Sequence, residues 1–112
     1  MRREGELLLD IVEACDSIEA FLKAGTAAEF HGDELVKSAV LQKLLVIGEA
    51  AAQLGRPFHE RHPDVPWSDV VGFRNLIVHA YFQVDWSIVW TTATVEVPDL
   101  RRRILKILEG TP

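Results

Sequence analysis

The chain is poor in cysteine, has no basic charge to spare and lacks a long apolar run, and each shortage excludes something. Cys15 stands alone among 112 residues, so no intrachain disulfide can form, and a reducing cytoplasm is the expected setting. Lys and Arg number 12 against 17 Asp and Glu, a net charge of −5. A surface of that sign does not hold nucleic acid by broad electrostatics, so any such contact must be local or shared between subunits. No window reaches the roughly 18 apolar residues of a membrane span. Met1-Arg2-Arg3 has the form of a signal-peptide start, but Glu4, Glu6 and Asp10 interrupt it, and Leu7-Leu8-Leu9 is too short for an apolar core. Repeats and low-complexity tracts are absent. What is there is one domain over residues 1–112, with 48% apolar residues to fill a core.

The apolar pattern is helical throughout. Leu8, Ile11, Val12, Cys15, Ile18 and Leu22 recur at spacings of three and four, predicting a helix from Gly5 to Ala24 that Gly25 ends. Asp33 is a good N-cap for a second helix reaching Leu54, with Leu41, Leu44, Leu45, Ile47 and Gly48 at its centre and Gly55 as its stop. Pro57, Pro63 and Pro66 make Arg56 to Pro66 a loop with room for a single turn at Phe58–Arg61. Trp67 or Ser68 opens a third helix that ends near Tyr81. Asp85 caps a fourth through about Val95, and Pro98 suits the first turn of a fifth from Asp99 to Glu109. No segment alternates with period two. The expected fold is all-α, an up-and-down bundle of four or five helices.

The third helix carries Arg74-Asn75-Leu76-Ile77-Val78-His79-Ala80-Tyr81. A permanent cation, a group that titrates near neutrality and a phenol fall within about two helical turns, roughly 10 Å. Arginine's planar fork meets two phosphate oxygens at once, and histidine's ordinary pKa suits proton transfer at working pH. Together they point to phosphodiester chemistry without a metal. Arg-x4-His alone is a weak motif: with 8 Arg and 4 His in the chain, about 0.3 such pairs arise by chance.

On a helical wheel Val70, Phe73, Leu76, Ile77 and Ala80 form a core stripe. Val71, Val78 and Phe82 lie opposite, with Arg74 on one flank and Asn75 and His79 on the other. A helix apolar on two faces is buried on both, and in so small a bundle the second cover is expected to be another copy, in a symmetric homodimer. Arg74 and His79 point about 140° apart, so one helix does not aim both at one atom. Two copies around a twofold axis would supply a composite cleft. Asn75 shares a face with His79, where its amide would orient the imidazole or bind a phosphate oxygen itself. Tyr81 is expected on the same face as Arg74.

The match extends beyond the motif. Arg74-Asn75-x3-His79-x-Tyr81 resembles the Arg-x4-His-x-Tyr signature of the HepT toxins within the HEPN superfamily. Ile47-Gly48-Glu49-Ala50-Ala51 is similar to that family's second-helix segment, and Pro66-Trp67 with Gly72-Phe73-Arg74-Asn75 to its approach to the motif. Tyr81-Phe82-x-Val84-Asp85-Trp86-x-Ile88-Val89-Trp90 resembles its continuation, and Pro98-Asp99-Leu100 the start of its last helix. The resemblance covers residues 5 to 109. It implies a HEPN-type bundle that dimerises around one cleft, and metal-independent cleavage of RNA, transfer or messenger RNA being the classes in view. It implies no required cofactor. The implied partner is MntA, a minimal nucleotidyltransferase antitoxin that moves AMP from ATP onto Tyr81 and so silences the toxin. On that reading Arg74 holds the scissile phosphate and stabilises its growing charge. His79 removes the ribose 2′-hydroxyl proton or protonates the leaving 5′-oxygen. The product end is a 2′,3′-cyclic phosphate or its hydrolysed form. Glu49 braces the site from the second helix, and AMP on Tyr81 adds bulk and negative charge that block the cleft.

Blander readings stand beside these. Arg74 and His79 taken singly fit an ion pair and a hydrogen-bonded histidine. Tyr81 also suits the edge of a core. His59-Glu60-Arg61-His62 is not His-Glu-x-x-His and sits in the proline-rich loop, so no metal is expected there. Arg101-Arg102-Arg103 with Lys106 reads as a solvated helix face, RNA guidance being the sharper alternative. Trp86 and Trp90 read as packing rather than base stacking, and Cys15 as a small core residue. Two other functions fit the chain: a non-catalytic subunit that positions ATP or substrate for a nucleotidyltransferase, and a plain helical dimerisation module.

Overall fold

Two long helices set the frame, and each owes its register to a buried stripe. The structure, a computed structural model, describes residues 3–110; Met1 and Arg2, the start of the interrupted leader-like pattern, lie outside the described residues. Helix α1 runs Glu4–Leu22 and buries Leu7, Leu8, Ile11, Val12, Ala14, Cys15 and Ile18. Helix α3 runs Glu34–Leu54 and buries Val40, Leu41, Leu44, Ile47, Gly48, Ala50, Ala51 and Leu54. The two stripes face each other along their lengths. Asp33 caps α3 as its sequence suggests, its carboxylate accepting from the Val36 amide at 3.1 Å.

Between them lies a short helix, α2 (Ala27–His31), that the hydropathy pattern does not announce. Thr26 and Glu29 form a reciprocal capping box that starts it. Its Phe30 is buried and meets the rings of Trp86 and Trp90 at 6.3 and 5.4 Å between centroids. Those tryptophans are therefore packing residues, with the Lys37 ammonium over Trp86. Helix α1 stops at Leu22 rather than Ala24, because Lys23 and Ala24 take left-handed backbone angles (φ 48° and 55°) in the position expected of Gly25.

Helix α4 (Arg56–Arg61) extends the single turn expected in the proline-rich loop. His59 stacks on Trp67 at 4.7 Å and hydrogen-bonds the Ala51 carbonyl at 2.8 Å, while His62 lies against Phe58. Both imidazoles are thus engaged in packing.

Helix α5 (Trp67–His79) packs against α3. After a turn at Tyr81–Gln83, α6 (Trp86–Thr91) begins at Asp85, whose carboxylate accepts from the Ser87 and Ile88 amides. The break expected before a fifth helix does not occur. Thr91, Thr92, Glu96 and Val97 all keep right-handed helical angles, and α6 passes through a wide π turn, Thr92–Glu96, into α7 (Val97–Glu109). Pro98 has no N–H to give and its ring crowds the preceding turn; widening that turn accommodates it without ending the helix. Helix α7 packs back on α1 and buries Val97, Leu100 and Ile104.

No strand occurs among the described residues, as expected for an all-α bundle. Ile11, Ile18, Val40, Val89 and Ile104 are the largest fully buried side chains. Each contributes about 1.5–3 kcal/mol, so interhelical packing rather than helix propensity holds the bundle together. Among the described residues no helix is long and apolar enough to cross a membrane.

Candidate active site

The site begins with a glycine. Gly48 lies buried in the middle of α3, where glycine costs about 1 kcal/mol relative to alanine and so asks for a reason. The reason is α5. A Cβ built on Gly48 would stand 2.1 Å from Cβ of Arg74, 2.8 Å from its Cγ and 3.3 Å from its Cα. The missing side chain is the hole into which the stem of Arg74 fits. Arg74 therefore faces α3, not the flank that the helical wheel assigned to it. The wheel's core stripe changes accordingly. Ile77 is buried and Val70, Phe73 and Ala80 are half-buried, but Leu76 is exposed.

This close approach delivers the guanidinium to the next residue of α3. Arg74 Nε donates to Glu49 Oε1 at 2.8 Å, and Arg74 Nη1 donates to Asn75 Oδ1 at 2.7 Å. Of the five N–H donors on a guanidinium, two are used and three remain. The outer fork of Arg74 is thus held from its inner side and still has donors for a second anion. A shallow concavity of about 240 Å³ between α1 and α3 borders Glu49.

Asn75 therefore engages Arg74, not His79. Its amide was expected to orient the imidazole; instead its oxygen turns toward the stronger neighbour, the cation one residue back. His79 closes α5, is exposed, and its ring makes no hydrogen bond among the described residues. Its Cα lies five residues beyond that of Arg74, about 7.5 Å along the axis, and its ring joins none of the hydrogen bonds that hold Arg74.

Tyr81 departs from expectation. Helix α5 ends at His79, Ala80 takes φ −143° and ψ 47°, and Tyr81 opens the following turn. It therefore does not share a helical face with Arg74. No glycine marks this terminus, so the apolar pattern runs past the true end. The phenol is half exposed, with its ring edge-on to Phe82 at 5.5 Å. Phe82 is 99% exposed, and Val78 and Leu76 are exposed beside it. A more apolar hollow lies elsewhere. It is about 470 Å³, runs between α5 and α6–α7 past Phe73, Ile88 and Val95, and none of Arg74, Asn75, His79 or Tyr81 lines it.

The class of protein so defined is an all-helical bundle with an interhelical Arg–Glu–Asn cluster and an exposed histidine at the end of the same helix. The comparisons with known proteins make this particular. Residues 11–107 match the family described as ribonuclease HepT-like. A Thermococcus cleftensis protein named probable ribonuclease HepT is 33% identical over 106 residues, covering 95% of this chain and 96% of that one. A Methanocaldococcus jannaschii protein with a provisional RNase name is 37% identical over 106 residues, covering 92% and 88%. Another from Caldanaerobacter subterraneus subsp. tengcongensis is 31% identical over 109 residues, covering 97% of each chain. No solved structure matches. The chain belongs to the HepT-like ribonuclease family.

Proposed function

We propose that this HepT-like ribonuclease is the toxin of a toxin–antitoxin pair, cutting RNA without a metal at a cleft between two copies of itself. The observation that carries the reading is the state of Arg74. Its inner N–H groups are fixed by Glu49 and Asn75 while outer donors stay free, the arrangement required to receive a phosphate in a set orientation. The ribose 2′-oxygen attacks phosphorus, the bond from phosphorus to the 5′-oxygen breaks, and a 2′,3′-cyclic phosphate and a 5′-hydroxyl result. His79 takes the proton from the 2′-oxygen or gives one to the 5′-oxygen, and the histidine of the second copy supplies the other transfer.

The second copy is supported by apolar exposure. Leu76, Val78 and Phe82 surround the motif and remain uncovered in one chain. A water-facing phenylalanine beside an open histidine and tyrosine is costly for a monomer and ordinary at an isologous interface. The same twofold arrangement would set Arg74 of one chain toward His79 of the other.

Silencing falls to Tyr81. Its hydroxyl, on a half-exposed turn two residues beyond His79, is open to a nucleotidyltransferase partner of the MntA type. The tyrosyl oxygen attacks the α-phosphorus of ATP, its proton passes to solvent, the bond from that phosphorus to pyrophosphate breaks, and AMP remains on the ring. ATP is then the donor for modification, and cleavage itself requires no cofactor. The pairing is tested by intact mass after co-expression with a nucleotidyltransferase of the MntA type. The expected result is a gain of whole AMP units that Tyr81→Phe abolishes. No gain would move the reading to neutralisation by binding alone, or to an accessory subunit that positions ATP for its partner. Catalysis is tested separately: Arg74→Ala and His79→Ala should stay folded and lose RNA cleavage.

A further inference from the structure

The arginine run of α7 does not act as one face. Arg101 turns to α1, where its Nε donates to Asp16 Oδ1 at 2.6 Å. Arg102, Arg103 and Lys106 turn the other way. With Arg61 from α4 they line a cleft of about 660 Å³ between the α4–α5 connection and α7. Four of the chain's 12 basic side chains line this cleft against two of its 17 acidic ones, Asp64 and Asp99, a balance of +2 in a chain whose total is −5.

Its arginines are set in place. Asp99 accepts from Arg102 Nη2 through one oxygen and from Arg103 Nε through the other, both at 2.8 Å. Arg103 Nη1 also donates to the Asp64 carbonyl. The arginines beside Asp99, Arg103 first, hold its carboxyl below the usual carboxylate range. Arg61 is tied to Glu4 at 3.0 Å, and Lys106 has no ion-pair partner among the described residues. Guanidinium groups steadied on one edge bind a second anion at lower entropic cost, and a phosphate diester is the anion that arginine forks and a lysine point charge recognise together.

We propose that this cleft is a second anion site that holds the RNA phosphate backbone away from the cleavage motif. The choice of RNA among polyanions rests on the ribonuclease reading above. The loop that forms one wall of the cleft precedes α5, and the motif histidine closes it; residues 65 and 79 lie roughly 20 Å apart along that helix. The cleft thus supplies the local cationic surface that an acidic ribonuclease otherwise lacks, and it contributes hold without sequence preference.

The test is salt-dependent binding of a fluorescent 2′-O-methyl oligoribonucleotide, which the proposed cleavage chemistry cannot cut. Arg102→Gln with Lys106→Gln should lower the slope of log K against log salt by about 1.4, two single-strand phosphate contacts. Lys37→Gln with Lys43→Gln, which removes the same charge outside the cleft, should leave the slope unchanged. An unchanged slope in the cleft variant overturns the proposal and leaves the cleft to another polyanion, such as an acidic protein. Equal losses in both variants also overturn it, since bulk charge would then explain the binding. So does failure of the wild type to bind. Cleavage is scored on unmodified RNA in a separate reaction. A cleft-dependent slope without cleavage would sink the catalytic reading and leave the anion site standing.

Discussion

Replacing Gly48 with alanine tests the close approach of α3 and α5 at a single methyl group. Two effects oppose each other. Alanine raises helix propensity at an interior position by about 1 kcal/mol. Against this, the new Cβ would meet Arg74 Cβ at 2.1 Å, where carbon atoms prefer at least ~3.5 Å. The atom in the way sits at the root of the side chain and cannot rotate aside. Helix α5 must retreat by about 1.4 Å locally, and overpacking of this kind costs about 1–3 kcal/mol. The clash therefore outweighs the propensity gain, or at best cancels it. The functional effect is larger. A retreat of that size would carry Arg74 Nε from 2.8 Å to beyond hydrogen-bond reach of Glu49. Misplacement by about 1 Å at a reacting centre costs on the order of 100-fold in rate. Gly48→Ala should therefore remain helical by circular dichroism, melt a few degrees lower or unchanged, and cleave RNA about 100-fold more slowly in single turnover. A variant at least as stable as wild type that also cleaves at the wild-type rate would refute the argument.

Other substitutions separate the parts of the account. Glu49→Gln keeps an oxygen that accepts from Arg74 and loses only charge, so it should retain more cleavage than Glu49→Ala. Because the pair is 28% and 42% exposed, either change should alter stability by no more than about 1 kcal/mol in a urea melt. Phe82 is fully exposed, so Phe82→Ser should leave the stability of the single chain within about 0.5 kcal/mol and, if the proposed dimer uses this face, weaken it in sedimentation; a wild type that is monomeric, or a variant as dimeric as wild type, would overturn that use of Phe82. Burial, with Asp16 beside it, pushes the Cys15 thiol up from 9.0 to about 12. A folded-state value raised above the unfolded one gives a contribution fully present below pH ~9 and lost progressively as pH climbs toward the folded value. Wild type should thus lose urea resistance in that alkaline window more steeply than Cys15→Ala, and its thiol should react with a disulfide reagent only after unfolding.

Local chemistry made much of this molecule legible. Asp33 and Asp85 announce their helices because a cap needs only its own next turn. The stripe from Leu8 to Ile18 announces α1 because one burial face repeats. The capping box of Thr26 and Glu29 carried an equally local signal for α2, hidden by the absence of an apolar run around it. Other features were out of reach for non-local reasons. A wheel ranks side chains by hydropathy and so turned Leu76 inward and Arg74 aside. The deciding partner, Gly48, sits on another helix 26 positions away. Without a glycine after His79, the pattern could not show that α5 stops before Tyr81. Pro98 does sit in the first turn of α7, but its commonest use, opening a separate helix, hides the widened turn through which α6 runs into α7 without a break. At the site, Arg74, Glu49 and Asn75 were all visible as residues, but their grouping into one cluster that excludes His79 depends on packing.

The central claim is that Arg74 and His79 cut RNA by attack of the 2′-hydroxyl. It is tested most directly by end-group analysis of RNA incubated with the purified chain in the presence of a chelator. New 2′,3′-cyclic phosphate or 3′-phosphate ends are expected with wild type, and none with Arg74→Ala or His79→Ala. Cleavage that persists in both variants, or that appears only when a divalent metal is restored and leaves 3′-hydroxyl ends, would contradict it.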